Sequence, residues 1–342
     1  MRGSRRRLAA LAAGFTLLSC PLAAVADGGP HVLFRIQPSK VDESSSLVVS
    51  QTHPGLVYTA NDSGDSATVY VLDDQTGELV GSTSIEGVDP LDIEAMTPGG
   101  HGSLIVADIG DNDNQRPYVT VYRIDEPDVG TNTVTAQAVR VTYANGPHNA
   151  EAVVYNVGTG RLYIASKQFG GAHVYRSPPH FFAHREVVMR AVAKAPALAT
   201  DAALLPGGDV AVIRTYFSAF FFTFPGWRPL ADHDLPNQPQ GESLAVPATG
   251  DVMWIGSEGE HSRVIAVQVP DLTPTTPPPT TPPPTTAGPV SGGTGDVEEQ
   301  HRQQLKSQAV AVGAAALALF VIVIVAIAVR WRRHPHVEDH RD

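Results

Sequence analysis

Acidic residues in two recurring positions give this chain its candidate chemistry. Glu43, Glu94, Glu151, Asp201 and Glu242 each head a short run of small or apolar residues, as in Glu94-Ala95-Met96 and Glu151-Ala152-Val153. A second set lies in loop-like stretches. Asp62 and Asp65 fall within Asn61-Asp62-Ser63-Gly64-Asp65, and Asp108, Asp111 and Asp113 within Asp108-Ile109-Gly110-Asp111-Asn112-Asp113-Asn114. Oxygen-bearing side chains alternating around a glycine suit a hard cation such as Ca²⁺, although Asp and Asn also bond their own backbone in tight turns without any metal. The second stretch lacks the order and the final Glu of an EF-hand loop. Lys167 and Arg214 stand in the corresponding loops further along and are expected to reach inward and offset part of the charge. His148 and His261 could lie on the same face as a base. No Gly-x-Ser-x-Gly elbow, His-Glu-x-x-His pair or phosphate-binding glycine loop is present, so no catalytic residue is assigned.

The elements that must position these acids repeat. The acid-led runs recur roughly every 50 residues, a period that marks repeat architectures. After each comes a turn with Gly or Pro and a second apolar run: Leu56-Val57-Tyr58, Leu104-Ile105-Val106, Leu162-Tyr163-Ile164, Val210-Ala211-Val212 and Val252-Met253-Trp254. Third strands are expected at 68–72, 118–124, 172–176, 220–224 and 264–269, with fourth strands at 79–85, 138–142, 186–192 and, more faintly, 230–235. The fifth unit ends after three strands, while one strand at 31–36 precedes the first acid. Pairing that strand with the fifth unit would close a ring of radially arranged sheets with protected edges. The fold class expected is therefore an all-β, five-bladed β-propeller closed by its N-terminal strand, with six blades as the alternative if residues 177–200 or 215–241 hold another unit. In such a ring the start of each innermost strand and the loop between the second and third strands meet at one face. The five leading acids should then ring the channel mouth, where they either bind a ligand or accept hydrogen bonds that lock blades together.

Asn61-Asp62-Ser63-Gly64-Asp65, Asp92-Ile93-Glu94, Asp108-Ile109-Gly110-Asp111-Asn112 and Tyr122-Arg123-Ile124-Asp125-Glu126-Pro127 resemble a group of exported bacterial β-propeller proteins, which are loosely similar to the esterase-like and phytase-like propellers. The resemblance covers residues 43–127 well and the remainder only as repeats. It implies a secreted propeller that binds calcium. Phytase-like propellers hydrolyse phosphate esters through several Ca²⁺ ions held by acids. Here the third and fourth units carry Lys167 and Arg214 instead of a second acidic run, which departs from that pattern.

The ends of the chain point to a membrane. Arg2, Arg5, Arg6 and Arg7 precede an apolar run and Ala24-Val25-Ala26, the order of an export signal over residues 1–26. The arginine cluster also allows twin-arginine export. Cys20, the one cysteine of 342 residues, lies inside that signal, so no disulfide is expected in the mature domain. Residues 271–307 are rich in Pro, Thr and Gly and read as a semi-rigid stalk. Residues 308–329 carry no charge and match the ~20 residues that cross a bilayer as a helix. Arg330, Trp331, Arg332 and Arg333 follow, which places residues 330–342 in the cytoplasm. The formal net charge is −11 although arginines cluster at both ends, so the body at 27–270 is acidic and repels nucleic acid. These features describe a single-pass protein whose propeller faces outward and whose partner is a cell-surface or extracellular ligand. The chain reads as a binding or interaction module with a Ca²⁺-binding mouth. The alternative is a metal-dependent hydrolase of phosphate or other esters at the same face.

Overall fold

The computed structural model describes residues 29–62 and 66–272. They belong to the first of two compact units, Met1–Thr275 and Thr276–Asp342. The segments expected to form an export signal (1–26), most of the stalk (271–307), a membrane helix (308–329) and a cytoplasmic tail (330–342) lie outside the described residues, as does Asp65. Among the described residues no helix is long and apolar enough to cross a membrane.

Strand β1 (His31–Arg35) stands apart in sequence from the sheet it joins. The first unit then runs β2 (Ser44–Val49), β3 (Leu56–Asn61), β4 (Thr68–Asp73) and β5 (Leu79–Ile85). The second is β6 (Ile93–Gly100), β7 (Ser103–Asp108), β8 (Val119–Asp125) and β10 (Gln137–Tyr143), interrupted by β9 (Gly130–Val134). The third is β11 (Ala150–Asn156), β12 (Arg161–Ser166), β13 (His173–Arg176) and β14 (Glu186–Lys194), and the fourth β15 (Ala199–Leu204), β16 (Val210–Thr215), β17 (Ser218–Thr223) and β18 (Pro229–Asp234). The last comprises β19 (Leu244–Ala245), β20 (Val252–Ile255) and β21 (Arg263–Gln268). β1 completes this last unit, pairing antiparallel with β21 from His31↔Ala266 to Arg35↔Arg263. The only helical element among the described residues is the 3-10 turn Phe181–Ala183. Residues 177–200 and 215–241 hold β14, β17 and β18 and no further four-stranded unit.

Burial follows strand position. Every residue of β7 and β12 after the first is buried, because a second strand has neighbouring sheets on both faces and so reads as a continuous apolar run. The outer strands β14 and β18 carry exposed residues at alternating positions, as expected where one face meets water. The core is correspondingly divided into clusters between successive sheets. Ile105, Val121, Val153 and Ile164 join the second and third units, and Phe34 and Val264 meet Leu47, Val57 and Leu72 where the last returns to the first. The innermost strands β2, β6, β11, β15 and β19 touch in that cyclic order, β19 against β2 closing it. The sheets are thus arranged in a propeller-like manner.

Two features were not expected. β9 leaves the second unit and pairs parallel with β5, Gly81 opposite Gly130, covering the outer edge of the first sheet. A Cβ on Gly81 would meet the Gly130 nitrogen and oxygen at 2.9 Å, so this approach requires glycine. β10 also pairs parallel with β14, merging the second and third units into one eight-stranded sheet.

Candidate functional site: a carboxylate cluster at the inner strand starts

Register decides which residues point inward. In four units the ladder between first and second strands slips by one residue at its start: at Ser45, between Ser44 and Ser46; at Glu94, between Ile93 and Ala95; at Glu151, between Ala150 and Ala152; and at Thr200, between Ala199 and Asp201. In the last unit the Ser243 carbonyl accepts the Gly256 N–H and Leu244 opposes Ile255, which leaves Glu242 at the same place. Such a bulge sets two residues against one and re-aims a side chain. All five of these residues are buried.

The equivalent set is therefore Ser45, Glu94, Glu151, Thr200 and Glu242, and the expectation that all five leading acids are equivalent is corrected in two units. Asp201 lies one residue past its bulge. Its carboxylate accepts from Leu244 N at 2.7 Å, Ala202 N at 2.8 Å and Ser46 Oγ at 3.2 Å, and Ser46 Oγ in turn accepts Met96 N at 2.9 Å. Asp201 thus ties four of the units together beneath the mouth. Burial holds its pKa well above the usual range despite those bonds and the nearby Arg214. Glu43 lies two residues ahead of Ser45, half-buried, near enough to Glu258 for its charge to act there.

Glu94 is the hinge of the cluster. Carboxylate oxygens of Asp62, Asp92 and Glu94 lie within 4.8 Å of one another, and so do those of Glu94, Glu151 and Glu242. The two triads share Glu94. Lys167 Nζ, just past β12, is 2.5 Å from Glu151 Oε2 and 3.6 Å from Glu242 Oε1, and sits 5.0 Å from the Tyr216 ring centroid. Tyr216 Oη donates to Glu242 Oε1 at 3.1 Å. The first triad is half open to solvent. A Cβ on Gly110 would meet Asp92 Oδ2 at 2.2 Å, so the Asp92 carboxyl occupies space that only glycine leaves.

The electrostatics follow that geometry. Burial, with a hydrogen bond to Asp62 and the charges of Asp62 and Glu151, pushes Asp92 up to about 9. Burial and the neighbouring carboxylates hold Glu94 well above the usual range. Glu151 is raised to about 8, burial outweighing the help of Lys167. Glu258 is pushed to about 10 by burial and by the Glu242 charge, to which it donates. Glu242 moves the other way: burial would raise it, but Lys167, Glu258 and Tyr216 together hold it below its ordinary value. Lys167 is held charged, its burial overcome by Glu151 and Glu242.

The remaining expected site residues lie elsewhere. Arg214 is fully buried and donates to the carbonyls of Ser243 and Gly256 and to Gln238 Oε1. It fastens the fourth unit to the last, and burial lowers its pKa to about 10. Asp108 accepts from Arg116 Nη1 at 2.8 Å and Asp92 N at 2.9 Å. Asp111 accepts from Gln115 N at 2.8 Å and Arg116 N at 3.0 Å. Asp113 is exposed. None of these three belongs to either triad. The loop is satisfied by its own backbone and by Arg116, a residue whose role the acidic run obscured. His148 packs against Tyr143 and Tyr175, and His261 is exposed in a turn with φ 54°. Phe222 and Trp227 pack with Tyr163 and Phe224 in the core.

Asp92 and Tyr216 were missed, whereas the loop that carries Glu258 was expected at this face and lies there. Asp92 was legible as a second acid two residues before Glu94; nothing local marks Tyr216, because only the packing of the fourth unit on the last brings it to Glu242.

No family model matches the sequence, and no curated protein is significantly similar to it. Among solved structures, the chain is similar to a gluconolactonase from Xanthomonas campestris at 12% identity and a TM-score of 0.41, the match covering 63% of this chain and 69% of that one.

Proposed function

We propose that the chain is a five-bladed β-propeller, exported and anchored by residues 308–329, which binds a divalent cation, Ca²⁺, at its channel mouth and serves there as a binding module. The observation that carries the cation is the convergence of Asp62, Asp92 and Glu94, whose carboxylate oxygens crowd at one half-open place and raise the pKa of Asp92 and Glu94. Lys167 serves Glu151 and Glu242 beside it. Oxygens within 4.8 Å of one another can sit on one Ca²⁺ at ~2.3–2.6 Å from each. Asp92 Oδ1 and Thr200 Oγ1 are buried without a hydrogen-bond partner, as befits groups that turn to an ion or its water. Asp62, Asp92 and Glu94 would hold the ion, which would neutralise charge there and offer open positions to an oxygen-bearing ligand.

The five-blade count is supported by the five inner strands in cyclic contact and by β1 completing the last sheet. The outward orientation rests on the sequence of both ends; protease treatment of intact cells would release the propeller if it is right and leave it intact if it is not.

Titrating Ca²⁺ into the purified protein tests the cation. A ligand bound only by the native state raises apparent stability, by ~2.7 kcal/mol at a hundredfold excess over Kd. The thermal midpoint should rise with Ca²⁺ in the native protein and not in Glu94→Gln; an unchanged midpoint would end this reading. The hydrolase alternative would work at this same face. Chromogenic phosphate and carboxylate esters, assayed with and without Ca²⁺, decide it.

A further inference from the structure

Outside the carboxylate cluster, buried polar atoms without partners converge on one place. Tyr143 Oη, His148 Nε2 and Arg116 Nε each lack a hydrogen-bond partner while buried, and all three residues line one cavity of about 140 Å³ between the second and third units. Native folds seldom leave buried donors unused. Tyr143 is only 7% exposed, its ring fixed 4.7 Å from Tyr175 and 5.5 Å from His148. His148 Nδ1 lies 3.2 Å from Gln168 Nε2. With that amide donating, the ring proton sits on Nε2, which is then a donor. Arg116 commits Nη1 to Asp108 and the Gly110 carbonyl, leaving Nε.

The cavity is the middle of a longer groove. It shares Pro117, Tyr118 and Thr142 with a pocket of about 350 Å³ beside Arg140 and Glu186. It shares Asp111, Arg116 and Pro117 with an open pocket of about 440 Å³ that reaches Leu91 and Asp92. The groove therefore runs from the acidic mouth to the seam where β10 and β14 pair. Tyr118 is 41% exposed along it, its ring braced by the Arg140 guanidinium 4.6 Å from the centroid.

The chemistry of the lining selects among ligands. An apolar ligand would leave three donors unmet. An anion would face Asp92, Asp111, Asp113 and Glu186 within an acidic domain whose field opposes it. An uncharged molecule rich in hydroxyls supplies acceptor oxygens to the donors and lays its C–H faces on Tyr118. We infer that this groove binds an uncharged saccharide, with Tyr143, His148 and Arg116 donating to its oxygens and Tyr118 stacking on a ring.

The test titrates glucose, galactose, N-acetylglucosamine and their linear trisaccharides into the full protein by calorimetry, with sodium phosphate as the anionic comparison. At least one sugar should bind saturably, its trisaccharide more tightly. Tyr118→Ala and Tyr143→Phe should each weaken it about tenfold, the scale of one aromatic contact or one hydrogen bond. Tyr118 is at the surface, so its variant carries the test if Tyr143→Phe does not fold. Failure of every sugar to bind, which leaves the donors to water alone, overturns the inference, as does phosphate binding in their place or affinity unaltered in both variants. The Ca²⁺-dependent thermal shift is read separately through Glu94→Gln, so failure of the sugars leaves the cation reading standing.

Discussion

The Lys167 ammonium lies 2.5 Å from Glu151 Oε2 across the channel mouth. This contact gives the Glu94, Glu151 and Glu242 triad a cation of its own. It also sets the first prediction. Lys167→Met should destabilise the protein by about 3 kcal/mol, because removing one partner of a buried pair strands the other. Glu151→Gln in the same chain should restore part of the loss. Urea unfolding measures both, and an unchanged midpoint in Lys167→Met would show the pair to be idle.

Acidity should stabilise the metal-free protein. Asp92 titrates near 3.8 when unfolded and about 9 when folded, and Glu151 near 4.5 and about 8. Between those limits the folded state holds more protons than the unfolded one, so stability falls as pH rises from about 4 toward 9. Thermal midpoints in EDTA should decline across that window, and saturating Ca²⁺ should flatten the decline. A midpoint that climbs with pH in EDTA contradicts the buried cluster.

Arg214 separates a fastening role from a binding one. Replacing it with Met leaves the Ser243 and Gly256 carbonyls and Gln238 Oε1 buried without their donor, at ~1–3 kcal/mol for each group stranded. The variant should lose several degrees of thermal stability and keep its rise with Ca²⁺. Loss of the rise alone, with stability intact, would place Arg214 in the site instead.

Ring closure depends on β1. Phe34 is 4% exposed and packs 6.1 Å from Trp254 in edge-to-face contact. Phe34→Ala should cost about 3–4 kcal/mol, the usual scale for emptying a buried aromatic position. Deletion of residues 29–36 should abolish cooperative unfolding, followed by circular dichroism. A deletion variant that melts as sharply as the parent would mean the last sheet stands without its outer strand.

The sequence alone determined the repeating strands and the displaced N-terminal strand that completes the last sheet, because continuous apolar runs and turn residues are local signals. It also placed Glu94, Glu151, Glu242 and Lys167 at one face. It was silent on β9 and on the seam between β10 and β14, since parallel pairings between distant edges leave no periodicity of their own. It likewise misplaced Asp201 and Glu43, and only the tertiary structure decided those. A strand's side chains alternate between faces, so a slip of one residue reverses which of them points inward. The ladder slips at Ser45 and Thr200, and those hydroxyls, not the acids beside them, take the inward position in their units. Lys167 and Tyr216 reach Glu242 only because the third and fourth units are brought round to the last.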